Sequence, residues 1–135
     1  MSVKDHLIPQ IKELLDKYGI SEFTEAQENL IPIVLEGKDA ILISPTGSGK
    51  TEAAILPIFQ KILEEKLLPI CALFITPLRA LNRDILGRLL EYGKNIGIRI
   101  QVRHSDMTDA QRKELRDNPA HIIVTTPESV QILLN

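Results

Sequence analysis

The apolar positions of this chain alternate between a helical period and short continuous runs. Between residues 4 and 18, Leu7, Ile8, Ile11, Leu14, Leu15 and Tyr18 recur at three- and four-residue steps. That spacing predicts one amphipathic helix, which Gly19 stops. Thr24 is placed to cap a second helix, with Ala26, Leu30, Ile33 and Val34 on its inner face and Gly37 past its end. Residues 39–44 (DAILIS) form an apolar run bounded by polar and glycine signals, which predicts a buried strand. A glycine-rich turn leads from it into a helix over 51–65, with Ile55, Ile58, Phe59, Ile62 and Leu63 inward.

The pattern then repeats. Residues 70–76 (ICALFIT) predict a second strand, and Leu78, Leu81, Ile85, Leu89 and Tyr92 a helical stripe after it. Residues 98–102 predict a third strand, and 108–117 a polar helix capped by Thr108. Residues 121–125 (HIIVT) predict a fourth strand, and Pro127 opens a last helix from its favoured first position. Strands alternating with helices predict an α/β fold, a parallel sheet flanked by helices.

Composition narrows the function classes. The chain has 135 residues, enough for one domain. It is 44% hydrophobic and 25% charged, as globular proteins are, but only 4% aromatic with no tryptophan, which argues against a base-stacking platform. With a net charge of -2, the molecule has no overall field attracting nucleic acid, so any such contact must be local. The lone Cys71 excludes an internal disulfide and fits a reducing compartment; mid-strand, it reads as a small core residue. No apolar run reaches the ~18 residues of a membrane helix, and the start lacks a secretory signal. A cytoplasmic (intracellular) protein with no membrane partner is expected.

The chemistry is concentrated in Ser44-Pro45-Thr46-Gly47-Ser48-Gly49-Lys50-Thr51, between a predicted strand and a predicted helix. That is the context of a phosphate-binding loop. Gly47 and Gly49 let the backbone curl so that successive N–H groups face phosphate oxygens, and the helix N-terminus adds its partial positive charge. Lys50 is placed to reach the β- and γ-phosphates of a nucleotide such as ATP, and the Thr51 hydroxyl to ligate Mg²⁺. Ser44 stands where the general pattern has its first glycine.

This loop resembles motif I of the superfamily two DNA and RNA helicases. Three more segments resemble that family's motifs in its order. Phe23-Thr24-Glu25-Ala26-Gln27 is similar to the Q motif, whose glutamine bonds the adenine edge. Thr76-Pro77-Leu78-Arg79-Ala80-Leu81 is similar to motif Ia, and Thr125-Thr126-Pro127-Glu128-Ser129 to motif Ib. The wording is nearer to the Lhr (large helicase-related) and Ski2-like branches than to the DEAD-box branch, as is the stretch Arg103-His104-Ser105-Asp106-Met107-Thr108, although Ser105 stands where glycine is expected. The resemblance implies the RecA-like P-loop lobe of an ATP-dependent helicase or translocase, with residues 1–37 carrying the Q motif and 38–135 the αβ core. It implies ATP and Mg²⁺ as cofactors. Nucleotide-binding residues would be Thr24, Gln27 and residues 44–51, with Lys50 and Thr51 catalytic and Thr51 on the metal. Pro77, Arg79, Thr126 and Pro127 would contact the DNA or RNA backbone. Tyr18 is a candidate adenine stacker, though its place in the first helix's apolar stripe favours core packing, and the lesser alternative for Gln27 from pattern alone is a polar residue on a solvated helix face. The basic strip Arg112, Lys113 and Arg116 reads as a solvated face.

Hydrolysis of ATP needs carboxylates on the metal and the attacking water. The family takes them from an Asp-Glu pair, and no Asp-Glu dipeptide occurs in the chain. The expectation is therefore a lobe incomplete at its C-terminal end, without ATP turnover of its own, whose uncovered sheet edge favours self-association. Two other classes remain at this stage: another P-loop enzyme such as a small kinase, and a non-catalytic, nucleotide-dependent nucleic-acid binder.

Overall fold

A computed structural model describes residues 3–45, 47–77, 83–103 and 107–134. The chain divides into two compact units, Met1–Lys66 and Leu67–Asn135.

The first unit is helical. The single helix expected over 4–18 is interrupted: a 3-10 helix, Val3–His6, precedes α1, Pro9–Lys17. Proline lacks an N–H and disfavours helical geometry in the residue before it, and Ile8 is accordingly extended at φ -70°, ψ 158°. Gly19 ends the helix region at φ +71°, as expected. Leu7, Ile11, Leu14 and Leu15 are buried, whereas Tyr18 is half-buried.

Helix α2, Glu25–Leu35, starts where Thr24 predicts, and packs chiefly on α3, Lys50–Glu65. Its buried face is Ala26, Gln27, Leu30 and Ile31. Ala26 and Leu30 are buried as expected, but Ile33 is exposed and Val34 half-buried, and Gln27 and Ile31 complete the inner face instead. Against α2 lies the stripe of α3, with Ala53, Ile55, Leu56, Phe59 and Ile62 buried.

The strand expected over 39–44 is not formed, and its Ile41 and Ile43 are each 91% exposed. A strand exists only beside another, since its N–H and C=O groups need a ladder. Among the described residues this stretch takes part in no sheet.

Among the described residues of the second unit, the other three expected strands are present: β1, Ala72–Ile75; β2, Ile100–Arg103; and β3, Ile122–Thr125. All pair in parallel in the order β1-β3-β2, with Ala72 and Ile100 both opposite Ile122. β3 is central and entirely buried, which explains its uninterrupted apolar run. β2 begins two residues later than its pattern suggests, because the Ile98 N–H is taken by the Gly93 carbonyl at 2.9 Å in the turn that closes α4, Arg83–Ile96. Leu89 and Tyr92 of α4 are buried; Leu78 and Leu81 lie outside the described residues. Helix α5, Asp109–Asp117, is capped by Thr108 and covers Ile123 through Met107 and Leu115. The last helix, α6, spans Pro127–Leu134.

Candidate nucleotide-binding loop

Within the first unit, the two segments singled out by sequence meet. Thr24 caps α2 with a reciprocal pair: its Oγ1 accepts from the Gln27 N–H at 3.2 Å, and Gln27 Oε1 accepts from the Thr24 N–H at 2.9 Å. The same two side chains then reach the loop. The Thr24 hydroxyl donates to the Ser48 carbonyl at 2.6 Å, and Gln27 Nε2 donates to the Gly49 carbonyl at 3.2 Å. Two consecutive loop carbonyls are thereby held from behind, which fixes the direction of the peptide planes between them.

Gly49 sits at φ +74° and Gly47 at φ +84°, a region that side-chain-bearing residues seldom enter. At Gly49 there is a second constraint, since a Cβ there would fall on the Gln27 amide nitrogen. The loop is also closed on itself. Ser44 and Ser48 hydroxyls lie 2.6 Å apart, Ser48 Oγ donates to the Pro45 carbonyl at 2.7 Å, and Lys50 Nζ donates to the Ser44 carbonyl at 2.8 Å. Lys50 is exposed, so its ammonium is free to exchange that carbonyl for a phosphate. Unlike α2 and α5, helix α3 has no side-chain cap, and its first turn carries the dipole's positive end. An uncapped helix start behind left-handed glycines and a lysine fits an anion of the polyphosphate kind.

Thr51 is half-buried at the second position of α3. No group of three His, Cys, Asp or Glu among the described residues could hold a metal. Gln27 is only 6% exposed, its amide oxygen accepting from the Thr24 N–H and its nitrogen donating to the Gly49 carbonyl, which leaves one N–H and one lone pair of the amide for a further partner. Thr46 lies outside the described residues.

The other candidates collect at the carboxyl edge of the sheet in the second unit. Pro77 follows β1 and Thr126 follows β3, on neighbouring strands whose ends are tied by the Thr76 N–H to the Thr125 carbonyl at 2.9 Å. Thr126 is buried, and its hydroxyl accepts from the Ser129 N–H at 3.4 Å and donates to Ser129 Oγ at 3.0 Å. That side chain caps α6; Pro127 is exposed beside it. Arg103 ends β2 opposite Thr125, at the same edge. The sequence reading has it one residue past the predicted strand, at the head of the Lhr-like stretch. Arg79 and His104 lie outside the described residues. The lone thiol, Cys71, donates to the His121 carbonyl at 3.3 Å, and burial pushes its pKa up.

The DEAD/DEAH box helicase family matches residues 24–135, which takes in the Thr24–Gln27 cap, the loop and the strand ends together. The chain belongs to that family. Among its helicase relatives, an ATP-dependent helicase Lhr-Core of Methanocaldococcus jannaschii is 37% identical over 98% of this chain, which spans 18% of that protein. An ATP-dependent rRNA helicase RRP3 of Meyerozyma guilliermondii is 38% identical over 90% of it, which spans 26% of that protein. The helicase Lhr of Mycobacterium smegmatis, solved with single-stranded DNA and AMP-PNP, superposes with a TM-score of 0.81 at 28% identity, over 96% of this chain and 18% of its own. The RNA helicase Prp28 of Chaetomium thermophilum, solved with ADP, gives 0.80 at 29% identity, over 95% and 32%. The sheet and its helices are thus those of a RecA-like helicase fold.

Proposed function

We propose that this chain is an ATP-binding part of an ATP-dependent DNA or RNA helicase, with residues 1–37 on the adenine side and 38–135 as the P-loop core. The observation that carries the reading is the seating of Thr24 and Gln27 on the carbonyls of Ser48 and Gly49, which joins an adenine-side element to a phosphate loop. In this reading residues 44–50 surround the phosphates, Lys50 leaves Ser44 for the terminal phosphates, and Thr51 supplies one oxygen to Mg²⁺. The remaining magnesium ligands would be phosphate oxygens and water, the set this ion ordinarily keeps. Magnesium's chemistry is charge neutralisation across those oxygens.

The strands β1, β2 and β3 end on Ile75, Arg103 and Thr125, and no Asp-Glu pair occurs in the sequence. We therefore infer ATP binding without turnover for this chain alone. Pro77, Arg79, Arg103 and the α6 start at Pro127 would meet a nucleic-acid backbone, by contacts that carry no base sequence. We also infer an intracellular location, and self-association of the chain through the uncovered edge of β1.

Titration of a fluorescent ATP analogue with magnesium tests the nucleotide reading. Saturable binding is expected, weakened ~10- to ~150-fold by Lys50→Ala, since a charge-assisted contact to phosphate is worth ~1.5–3 kcal/mol. Binding unchanged in that variant would overturn the loop assignment. Nucleic-acid-stimulated phosphate release that Lys50→Ala abolishes would overturn the absence of turnover.

A further inference from the structure

A cavity of about 440 Å³ lies between α5 and β2. Its walls come from β2 and from residues 107–115, all within the second unit. Val102, Met107, Ala110 and Leu115 make them mostly apolar. That volume and that lining are those of a small-molecule pocket, which ordinarily adds a few polar groups to fix its ligand.

One such group is present with nothing to bond. Gln101 stands opposite Ile123 in the ladder, so its side chain shares the sheet face of Ile123, which Met107 and Leu115 cover. Its Oε1 is fully buried, and among the described residues it accepts no hydrogen bond. A buried acceptor is ordinarily satisfied, because leaving water without a new partner costs free energy. The Gln111 side chain cannot supply the partner through its oxygen, an acceptor already taken by the Thr108 N–H at 2.9 Å. At the mouth, exposed Glu114 is the one charged residue of the described lining, and its Oε1 accepts from Asn118 Nδ2 at 3.1 Å. The basic residues of α5, Arg112, Lys113 and Arg116, line no part of the cavity.

We propose that this cavity binds a small, mostly apolar molecule that carries an N–H or O–H donor and no negative charge. The donor goes to Gln101 Oε1, and the apolar body lies against Val102, Met107 and Leu115. Removal of that body from water drives entry, and the buried acceptor sets its orientation. The Glu114 carboxylate at the mouth disfavours anions, so the cavity is not a second phosphate site. No residue of the phosphate loop takes part, and the site is independent of the nucleotide reading.

Indole serves as the probe, with indene as the same shape lacking the N–H. Each is titrated into the isotope-labelled 135-residue chain, and backbone amide chemical shifts read both location and affinity. Shifts are expected in β2 and α5, with indole bound about 3- to 10-fold more tightly than indene, the range of one net hydrogen bond. Gln101→Met keeps an apolar wall of similar length and should abolish that preference. Ala110→Phe, at an exposed helix position, should fill the mouth and abolish binding while the fold stays intact. Indoleacetate should bind more weakly than its neutral counterpart indoleacetamide. Equal binding of indole and indene overturns the role of Gln101, and tighter binding of indoleacetate overturns the exclusion of anions. Undiminished binding in Ala110→Phe, or no shift with any of these probes at millimolar concentration, overturns the site.

Discussion

At the scale of single residues, the phosphate loop depends on two glycines for different reasons. Gly47 needs its left-handed φ of +84° and has open space around it; Gly49 needs φ +74° and also the room that the Gln27 amide occupies. Gly47→Ala should therefore cost about 1 kcal/mol of stability, the strain alone. Gly49→Ala should cost about 1–2 kcal/mol more, because Gln27 must give up the Gly49 carbonyl as well. Chemical denaturation checks this, and equal costs for the two would show that the Gln27 approach is not a constraint. A second residue-scale prediction concerns Cys71. Its thiol pKa is raised by burial, so the protonated form is favoured in the folded state. Its contribution to stability is present below the ordinary thiol pKa and lost as pH rises through the raised one. Alkylation of native Cys71 should be slower than that of a free thiol near neutrality and accelerate only at a pH above the usual thiol range. A rate matching a model thiol throughout would contradict this. Of these features, the glycine requirement was legible in the sequence, whereas the collision at Gly49 was not, because it joins residues more than twenty positions apart.

Among the elements, α2 and α5 begin in the same way, and that gives an internal comparison. Thr24 and Thr108 each form a reciprocal cap with a glutamine three residues on. Only Thr24 also donates to a distant carbonyl, that of Ser48. Thr108→Ala should cost about 1 kcal/mol, the value of a cap, and Thr24→Ala about 2 kcal/mol. The difference, read from denaturation midpoints, measures how firmly the helix start holds the loop; no difference would mean the tie carries no energy. Local signals placed these starts well because capping is decided within four residues. They placed the first helix less well, since its apolar stripe runs on through Pro9 while its backbone cannot. They misjudged the inner face of α2, where Gln27 and Ile31 are buried and Ile33 is exposed, because which stripe faces inward is set by α3.

Over the whole molecule, the net charge of -2 and a few strand-end cations bound the strength of any nucleic-acid contact. With about two phosphates neutralised, single-strand affinity should fall with salt at a log–log slope near -1.4. A fluorescence anisotropy titration over a salt series gives that slope, and a value near -3.5 would mean that the three exposed basic residues of α5, Arg112, Lys113 and Arg116, take part after all. The chain's own sequence determined three of the four strands with the helices between them, the caps at Thr24 and Thr108, and the glycine turn at residues 47–49, because each depends on neighbours a few residues away. The central strand β3 was equally legible, since burial on both faces leaves a continuous apolar run. Tertiary structure alone decided that Thr24 and Gln27 grip the loop carbonyls and that residues 39–44 form no strand. Each of these turns on a partner distant in sequence or absent from its side. A hydrogen bond or a ladder needs two participants, and a one-dimensional pattern describes only one of them.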